Sequence, residues 1–113
     1  HPLLFGRVAR VGNVVAGYAM WTVGYTMQYG KPLLEIVDLY VRPDFRRQGI
    51  ARTLMQNLAV VAQKNGYRFL TVITFDGNIE ANAFYRAIGG ELDTTKVYAF
   101  GQRAMARLTA DSA

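Results

Sequence analysis

A cluster of arginines surrounds one glycine in the middle of the chain. The cations nearest to Gly49 are Arg42, Arg46, Arg47 and Arg52. A helical pattern begins directly after this glycine, and the first N–H groups of a helix are unpaired and carry a partial positive charge. Gly49 and Ala51 keep side chains small where an anion would approach the backbone. Segment 41–51 therefore predicts a cradle for a pyrophosphate.

The residues of this segment leave a second interpretation open, a solvated helix start after an ordinary turn, because short motifs often match by chance. The segment is neither G-x-G-x-x-G nor the phosphate loop that ends in Lys-Ser/Thr, which argues against a dinucleotide or a nucleoside triphosphate. Its position between a buried strand and a helix favours the ligand-binding interpretation, since open α/β sheets bind ligands there.

Two strands and a helix position this segment. Leu33 to Val41 is apolar apart from Glu35 and Asp38, which predicts a central strand. The helical stripe that follows comprises Ile50, Leu54, Leu58 and Val61, widened by Met55 and Ala62. This helix should end near Gly66, and Arg68 to Thr74 predicts a buried strand. A strand, a helix and a strand in this order predict a βαβ unit with parallel strands.

The remaining segments complete the predicted fold. Leu4 to Val11 and Val14 to Met27, joined by Gly12-Asn13, predict an antiparallel hairpin. A short second helix should start at the N-cap Asn78 and stop at Gly89-Gly90, with Phe84 in the core. Lys96 to Phe100 predicts a strand, whereas Gln102 to Ala110 fits a strand or an amphipathic helix. We expect one α/β (α+β) domain over residues 1–113, with a mixed, mostly antiparallel sheet and a central parallel βαβ unit.

Composition narrows the function classes. The 113 residues include no Cys and a single His, at position 1, which disfavours disulfides, metal centres and His-based hydrolase triads, so no metal is expected. The net charge of +5 predicts an anionic partner. No apolar run reaches the roughly 18 residues that a membrane span needs. No secretory signal is visible at the start. A cytoplasmic protein is expected.

Two ordered motifs resemble the GNAT superfamily of N-acetyltransferases. Arg46-x-x-Gly49-x-Ala51 is similar to the Q/R-x-x-G-x-G/A signature of that family. Downstream, Asn78-x-x-Ala81-x-x-Phe84-Tyr85 resembles its N-x-x-A-x-x-F-Y segment. The resemblance extends from Leu4 to about Phe100. Within the family, the amino-acid sequence is most similar to the diamine (polyamine) acetyltransferase branch. That branch has an acidic pair near the strand end, of which this chain keeps Asp38 and has Val37 in place of the first member.

The resemblance implies an acetyltransferase that moves an acetyl group from acetyl-CoA to a primary amine, with these residues in named roles. The pyrophosphate would bind at Arg46, Arg47, Gln48, Gly49, Ile50, Ala51 and Arg52, the pantetheine arm at Leu39, Tyr40 and Val41, and Asn78 would contact the cofactor arm. Tyr85 matches the tyrosine that protonates the departing thiolate, since a phenol with a pKa of about 10 stays protonated at neutral pH.

Glu35 is the candidate base that accepts the proton of the amine. An amine with a pKa of about 10.4 must lose a proton before it attacks. Glu35 lies two residues before Val37, about 6 to 7 Å along a strand, so a water relay would be needed. A solvent-facing carboxylate without a catalytic role fits the spacing equally well.

Three further expectations concern partners. Family members usually have a strand and two helices ahead of the position of Leu3, which this sequence does not include. The resemblance therefore implies either a fragment of a longer chain or an N-terminally abbreviated GNAT-like fold, and we expect a homodimer that covers the open sheet edge. One rival function is a non-catalytic CoA-binding module. A nucleic-acid-binding domain ranks below both, because the basic residues concentrate at one helix start instead of covering a broad face.

Overall fold

The fold is a four-stranded sheet with one long helix packed on one face. The computed structural model describes residues 4–25, 30–93 and 97–111. The strands are β1 (Phe5–Val11), β2 (Val14–Tyr25), β3 (Pro32–Val41) and β4 (Phe69–Val72). The helices are α1 (Ile50–Lys64), α2 (Ile79–Ala87) and α3 (Gln102–Asp111), and a 3-10 turn spans Pro43–Phe45.

Sheet topology confirms the predicted hairpin and the βαβ unit. The strand order is β1-β2-β3-β4, with antiparallel pairing for the first two neighbours and parallel pairing between β3 and β4. Gly12 turns the hairpin with a φ of 61°, a conformation that glycine adopts without steric cost. The connection between the parallel strands is α1, as the change of hydrophobic period predicts.

The core lies between α1 and one face of the sheet. Its buried members are Ala19, Trp21, Leu34, Ile36, Leu54, Leu58 and Ala62. Leu34 and Leu58 are the largest side chains that are completely buried, and each contributes about 1.5 to 3 kcal/mol of transfer free energy. This packing fixes the start of α1 relative to the end of β3, which is the geometry that the site requires.

The described part of the chain corrects two predicted strands. The strand predicted over 68–74 is shorter and only half-buried: Ile73, beyond its end, is 84% exposed and Phe69 is 45% exposed. The strand predicted at 96–100 is wrong for Val97 to Phe100, which pair with no other strand. A run of β-formers needs a hydrogen-bonded neighbour to become a strand. Lys96, Thr26 and Met27 lie outside the described residues.

The other two adjustments concern helices. The tail forms a helix, α3, which decides between the two alternatives that the sequence left open. Phe84, expected in the core, is only half-buried, and α2 buries none of its residues completely. Within the described ranges, no helix is long and apolar enough to cross a membrane.

Candidate functional site

The two parallel strands separate at an irregularity in β3. Pairing with β4 ends at Ile36 opposite Val72, whereas β3 continues to Val41. Against β2, the register jumps from Ile36 opposite Trp21 to Asp38 opposite Met20, so Val37 is the extra residue of a β-bulge. From Val37 onward, the side of β3 that faced β4 has no strand partner among the described residues. Leu39, Tyr40 and Val41, predicted to hold the pantetheine arm, lie on this open stretch.

The start of α1 is open to an anion. Gly49 is its N-cap with a φ of 80°, no side chain caps the helix, and its first turn has no acidic residue. The first N–H with an intrahelical acceptor is that of Thr53, which donates to the Gly49 carbonyl at 3.0 Å. The N–H groups of Ile50, Ala51 and Arg52 thus have no acceptor among the described residues. This donor set suits a phosphate.

Backbone strain accompanies this open helix start. Arg47 has a φ of 63° and is the one non-glycine residue with positive φ in the described part of the chain. A side chain in the left-handed region costs about 1 to 3 kcal/mol, and such costs cluster at binding sites. In contrast, α2 has an ordinary cap, since Asn78 Oδ1 accepts from the Ala81 N–H at 3.2 Å. The N-cap role predicted for Asn78 is confirmed.

The arginines of the loop differ in their contacts. Arg46 Nε donates to the Val41 carbonyl at 3.0 Å, and its guanidinium lies 5.8 Å from the centre of the Tyr40 ring. Arg42 pairs loosely with Asp44 at 3.7 Å. Arg47 and Arg52 are exposed, as is Gln48. The loop therefore ties one arginine to the end of β3 and leaves others directed to solvent.

Tyr85 lines a cleft that α1, β4 and α2 enclose. The cleft has a volume of about 700 Å³, and its walls include Arg52, Met55, Thr74 and Tyr85. Burial raises the pKa of Tyr85 above its ordinary value of 10.0, and the negative charge of Asp38 raises it further. A phenol in this setting stays protonated at neutral pH and can donate a proton.

Gly90 helps to fix Tyr85 in the cleft. The Gly90 N–H donates to the Tyr85 carbonyl at 2.8 Å. A Cβ atom at Gly90 would lie 2.8 Å from that same carbonyl oxygen, closer than side chains tolerate. Only glycine at this position therefore allows the backbone after α2 to approach the Tyr85 carbonyl this closely.

Glu35 lies on the sheet face opposite α1. Its register partner on β2 is Thr22, and its neighbours Leu34 and Ile36 point into the core. The carboxyl group packs over Gly24, where an added Cβ would lie 2.8 Å from Glu35 Cδ. Glu35 is half-buried. The structure thus places Glu35 on the face that α1 does not cover, beside Gly24. Its role as a base stays a prediction.

Sequence reasoning missed Tyr18, which joins Asp38 on this same face. Tyr18 OH donates to Asp38 Oδ2 at 2.6 Å, and this bond raises the pKa of Tyr18 above 10.0. The two residues are 20 positions apart in the sequence, and only the register of β2 against β3 brings them together. The Asp38 retained in the motif was the available signal, but nothing in the sequence pointed to its partner.

No group of three His, Cys, Asp or Glu side chains in residues 4–25, 30–93 and 97–111 is arranged to hold a metal ion.

Comparison with known proteins agrees with this geometry. The sequence profile of the acetyltransferase (GNAT) family matches residues 1–89, so the chain belongs to that family. A thialysine N-epsilon-acetyltransferase of Caenorhabditis elegans is 37% identical over 83 residues, which are 74% of this chain and 51% of the relative. An L-ornithine N5-acetyltransferase of Arabidopsis thaliana is 29% identical, over 88% of this chain and 40% of the relative. The chain thus spans about half the length of these relatives or less.

Solved structures share the fold. An integron cassette protein from the mobile metagenome of V. cholerae superposes with a TM-score of 0.85 at 25% identity, covering 96% of this chain and 68% of that one. The aminoglycoside acetyltransferase AAC(6')-Iy, in complex with the bisubstrate analogue CoA-S-monomethyl-acetylneamine, gives a TM-score of 0.78 at 23% identity, over 91% of this chain and 71% of that one. The predicted GNAT-like architecture is confirmed.

Proposed function

We propose that the chain transfers an acetyl group from acetyl-CoA to a primary amine. The observation that carries this proposal is the uncapped start of α1 directly beyond the open end of β3. A long phosphorylated thiol ester fits this arrangement, with its pyrophosphate on the helix start and its arm along the strand. The curated relatives named above are acetyltransferases of amines, which supports an amine as the acceptor.

Each part of the site has a role in this proposal. The free N–H groups at Ile50 to Arg52, with the cations of the loop, hold the pyrophosphate. Backbone groups of Leu39 to Val41 hydrogen-bond the pantetheine arm, and Asn78 contacts it from the start of α2. Met55, Leu70 and Ile88 add apolar walls to the cleft. A metal ion has no part in this chemistry.

Tyr85 acts as the general acid. The amine nitrogen attacks the acetyl carbonyl, the new C–N bond forms, and the C–S bond breaks. Before the attack, the ammonium form of the amine has lost one proton through water to Glu35, the candidate base. The phenol of Tyr85 gives its proton to the departing sulfur, and the second proton, which the nitrogen loses as the amide forms, passes through water and restores the phenol. Burial of Tyr85 supports this assignment, because it keeps the phenol protonated in the resting protein.

Thermal unfolding with acetyl-CoA, CoA and ATP in parallel tests the cofactor part. A ligand that binds only the folded form at 100 times its Kd stabilises it by about 2.7 kcal/mol. At about 4 °C per kcal/mol, this raises Tm by about 11 °C. We expect this rise with the two CoA species and a far smaller one with ATP. Equal shifts, or none, would contradict the proposal.

Turnover separates the enzyme from its main rival. CoA binding without acetylation of any amine in a broad panel would favour a non-catalytic CoA-binding module. A nucleic-acid-binding domain would show affinity for duplex or single-stranded DNA that falls steeply with salt, which we do not expect.

We also propose that residues 1–113 form one domain, that the protein works in the cytoplasm, and that it forms a homodimer. The support for the dimer is β1, an edge strand that pairs only with β2 among the described residues. Unpaired edges favour association with another chain. Light scattering across a hundredfold concentration range tests this point, and a monomer throughout would contradict it.

A further inference from the structure

The hydroxyl of Thr74 is buried without a hydrogen-bond partner. Among the buried side-chain nitrogen and oxygen atoms of the described residues, Thr74 Oγ1 is the one that makes no hydrogen bond. Native proteins pair the large majority of such atoms. An unpaired hydroxyl destabilises the free protein, because its hydrogen bonds to water are lost on folding and are not replaced. An exception of this kind indicates a place where a ligand can supply the missing partner.

Thr74 lies on the wall of the cleft that also contains Tyr85. It follows the end of β4 by two residues, beyond the last position at which β4 pairs with β3. The alternation of the strand continues through this position, since Thr74 is half-buried whereas Ile73 and Phe75 are 84% and 80% exposed. The side chain of Thr74 therefore lies on the same side of the sheet as Val72, which packs against the core beneath α1.

The other walls of this cleft indicate which ligand passes Thr74. Arg52 belongs to the helix start that is proposed to hold the pyrophosphate, and Tyr85 is the proposed acid at the thioester. Both residues line the same cleft as Thr74. The pantetheine arm joins the pyrophosphate to the thioester, so in the proposed complex it runs through this cleft. Met55 and Ile88 contribute apolar surface there, and Thr74 adds a polar group along the path of the arm.

An amide group of the pantetheine arm suits a threonine hydroxyl. An amide has N–H donors and a carbonyl acceptor, and a hydroxyl can both donate and accept a hydrogen bond. The contacts predicted for the arm are the backbone of Leu39 to Val41, on β3, and Asn78, at the start of α2. A bond from Thr74 adds a contact from the chain that continues β4.

Rotation of the Thr74 side chain brings its hydroxyl to the cleft. Oγ1 points inward in the structure, although the residue as a whole is only half-buried. A change of χ1 between staggered rotamers exchanges the positions of the hydroxyl and the methyl group. The exchange places the methyl group in the apolar surroundings and the hydroxyl against the ligand. Binding of the arm thus removes the cost of the unpaired hydroxyl and gains one hydrogen bond.

We propose that Thr74 is a binding residue for the cofactor, whose hydroxyl forms a hydrogen bond with an amide of the pantetheine arm and has no partner when the arm is absent. This inference rests on the proposed function, since it concerns the cofactor side of the same cleft. It adds a residue that lies outside both sequence motifs.

The test compares two substitutions of Thr74 in the full chain. Thr74→Val keeps the shape of the side chain and removes the hydroxyl, whereas Thr74→Ser keeps the hydroxyl. Thr71→Val is the matched control, because Thr71 lies on β4 opposite Glu35 and its side chain is exposed. Titration calorimetry measures the Kd for CoA, for acetyl-CoA and for adenosine 3′-phosphate 5′-diphosphate, which is CoA without the pantetheine arm. Thermal unfolding without ligand gives the Tm of each protein.

We expect Thr74→Val to bind CoA and acetyl-CoA about threefold to tenfold more weakly, the loss typical of one neutral hydrogen bond. Its affinity for the nucleotide without the arm should stay within about twofold. The Tm of the free variant should rise by about 4 °C, because the unpaired hydroxyl is gone. A role in packing alone would leave this opposition between Tm and affinity unexplained. Thr74→Ser and Thr71→Val should bind CoA within about twofold of wild type.

Five outcomes would overturn the inference. Unchanged CoA affinity in Thr74→Val, or an equal loss for the nucleotide without the arm, would show that the hydroxyl does not bind the arm. A loss confined to acetyl-CoA would place the bond at the thioester. A lower Tm of free Thr74→Val would mean that the hydroxyl has a partner within the protein, and an equal loss of CoA affinity in Thr74→Ser would assign the effect to the methyl group.

In each of these cases the wild type still binds CoA, and the proposed function stands. Failure of the wild type to bind CoA would instead refute the proposed function, and the inference about Thr74 would fall with it.

Discussion

Replacing Tyr85 by Phe removes the proposed general acid and almost nothing else. The phenol oxygen has no hydrogen-bond partner among the described residues, so its loss leaves no buried group unsatisfied. The ring, which packs against Phe84 at 5.2 Å between centres, is retained. We therefore expect the free energy of unfolding to change by less than about 0.5 kcal/mol. CoA affinity should stay within twofold.

The same substitution should greatly reduce turnover. General acid catalysis typically contributes about 100-fold to 10,000-fold, and a 100-fold loss corresponds to about 2.7 kcal/mol in the barrier. We expect kcat to fall at least 100-fold, measured by release of free CoA thiol at saturating acetyl-CoA and amine. Tyr67→Phe is the matched control, since Tyr67 is also half-buried but follows α1 at its opposite end. It should retain full kcat.

The pH dependence of kcat adds an independent check. In the proposed mechanism, Tyr85 works in its protonated form, and burial and the charge of Asp38 both raise its pKa above 10.0. The loss of activity caused by ionisation of Tyr85 should therefore lie above pH 10. Asp38→Asn removes one of the two causes of the raised pKa and should move this high-pH loss of activity, the alkaline limb of the pH profile, to lower pH. A Tyr85→Phe variant with more than a tenth of wild-type kcat, or a limb that moves upward in Asp38→Asn, would refute the reasoning.

Three further predictions concern the scaffold and the cofactor site. Arg47→Gly relieves the left-handed strain and should raise stability by about 1 kcal/mol while CoA binding weakens severalfold through the lost cation; a lower Tm in thermal unfolding would contradict this. Leu58→Ala opens a cavity in the core and should lower the free energy of unfolding, measured in urea, by about 2 to 5 kcal/mol. A loss below about 1 kcal/mol would mean that the core is packed less tightly than the burial of Leu58 indicates. Asn78→Ala removes the cap of α2 and should lower the free energy of unfolding by about 1 kcal/mol, and CoA affinity measured by calorimetry should fall severalfold. Asn78→Asp is the control that should keep the cap. Unchanged CoA affinity in Asn78→Ala would mean that Asn78 acts only as a helix cap.

Local patterns were sufficient for most of the fold. The period change at Ile50 and the glycine at Gly66 predicted α1 to its observed ends, Ile50 and Lys64, because helix periodicity and capping are properties of short segments. The strand predicted at Val97 to Phe100 failed for the opposite reason. Its residues are good strand formers, but a strand exists only when another strand supplies hydrogen bonds.

By itself, the sequence determined which residues match the family's two motifs, and so which segment is predicted to bind pyrophosphate and which tyrosine is the candidate acid, because both motifs are contiguous patterns. Tertiary structure alone decided which groups meet. The bulge at Val37, the end of β4 at Val72 and the register of β2 bring Asp38 to Tyr18 and within electrostatic reach of Tyr85. Register depends on the pairing of distant segments and on a single extra residue, and a shift by one position turns every side chain to the other face. No local pattern encodes that choice.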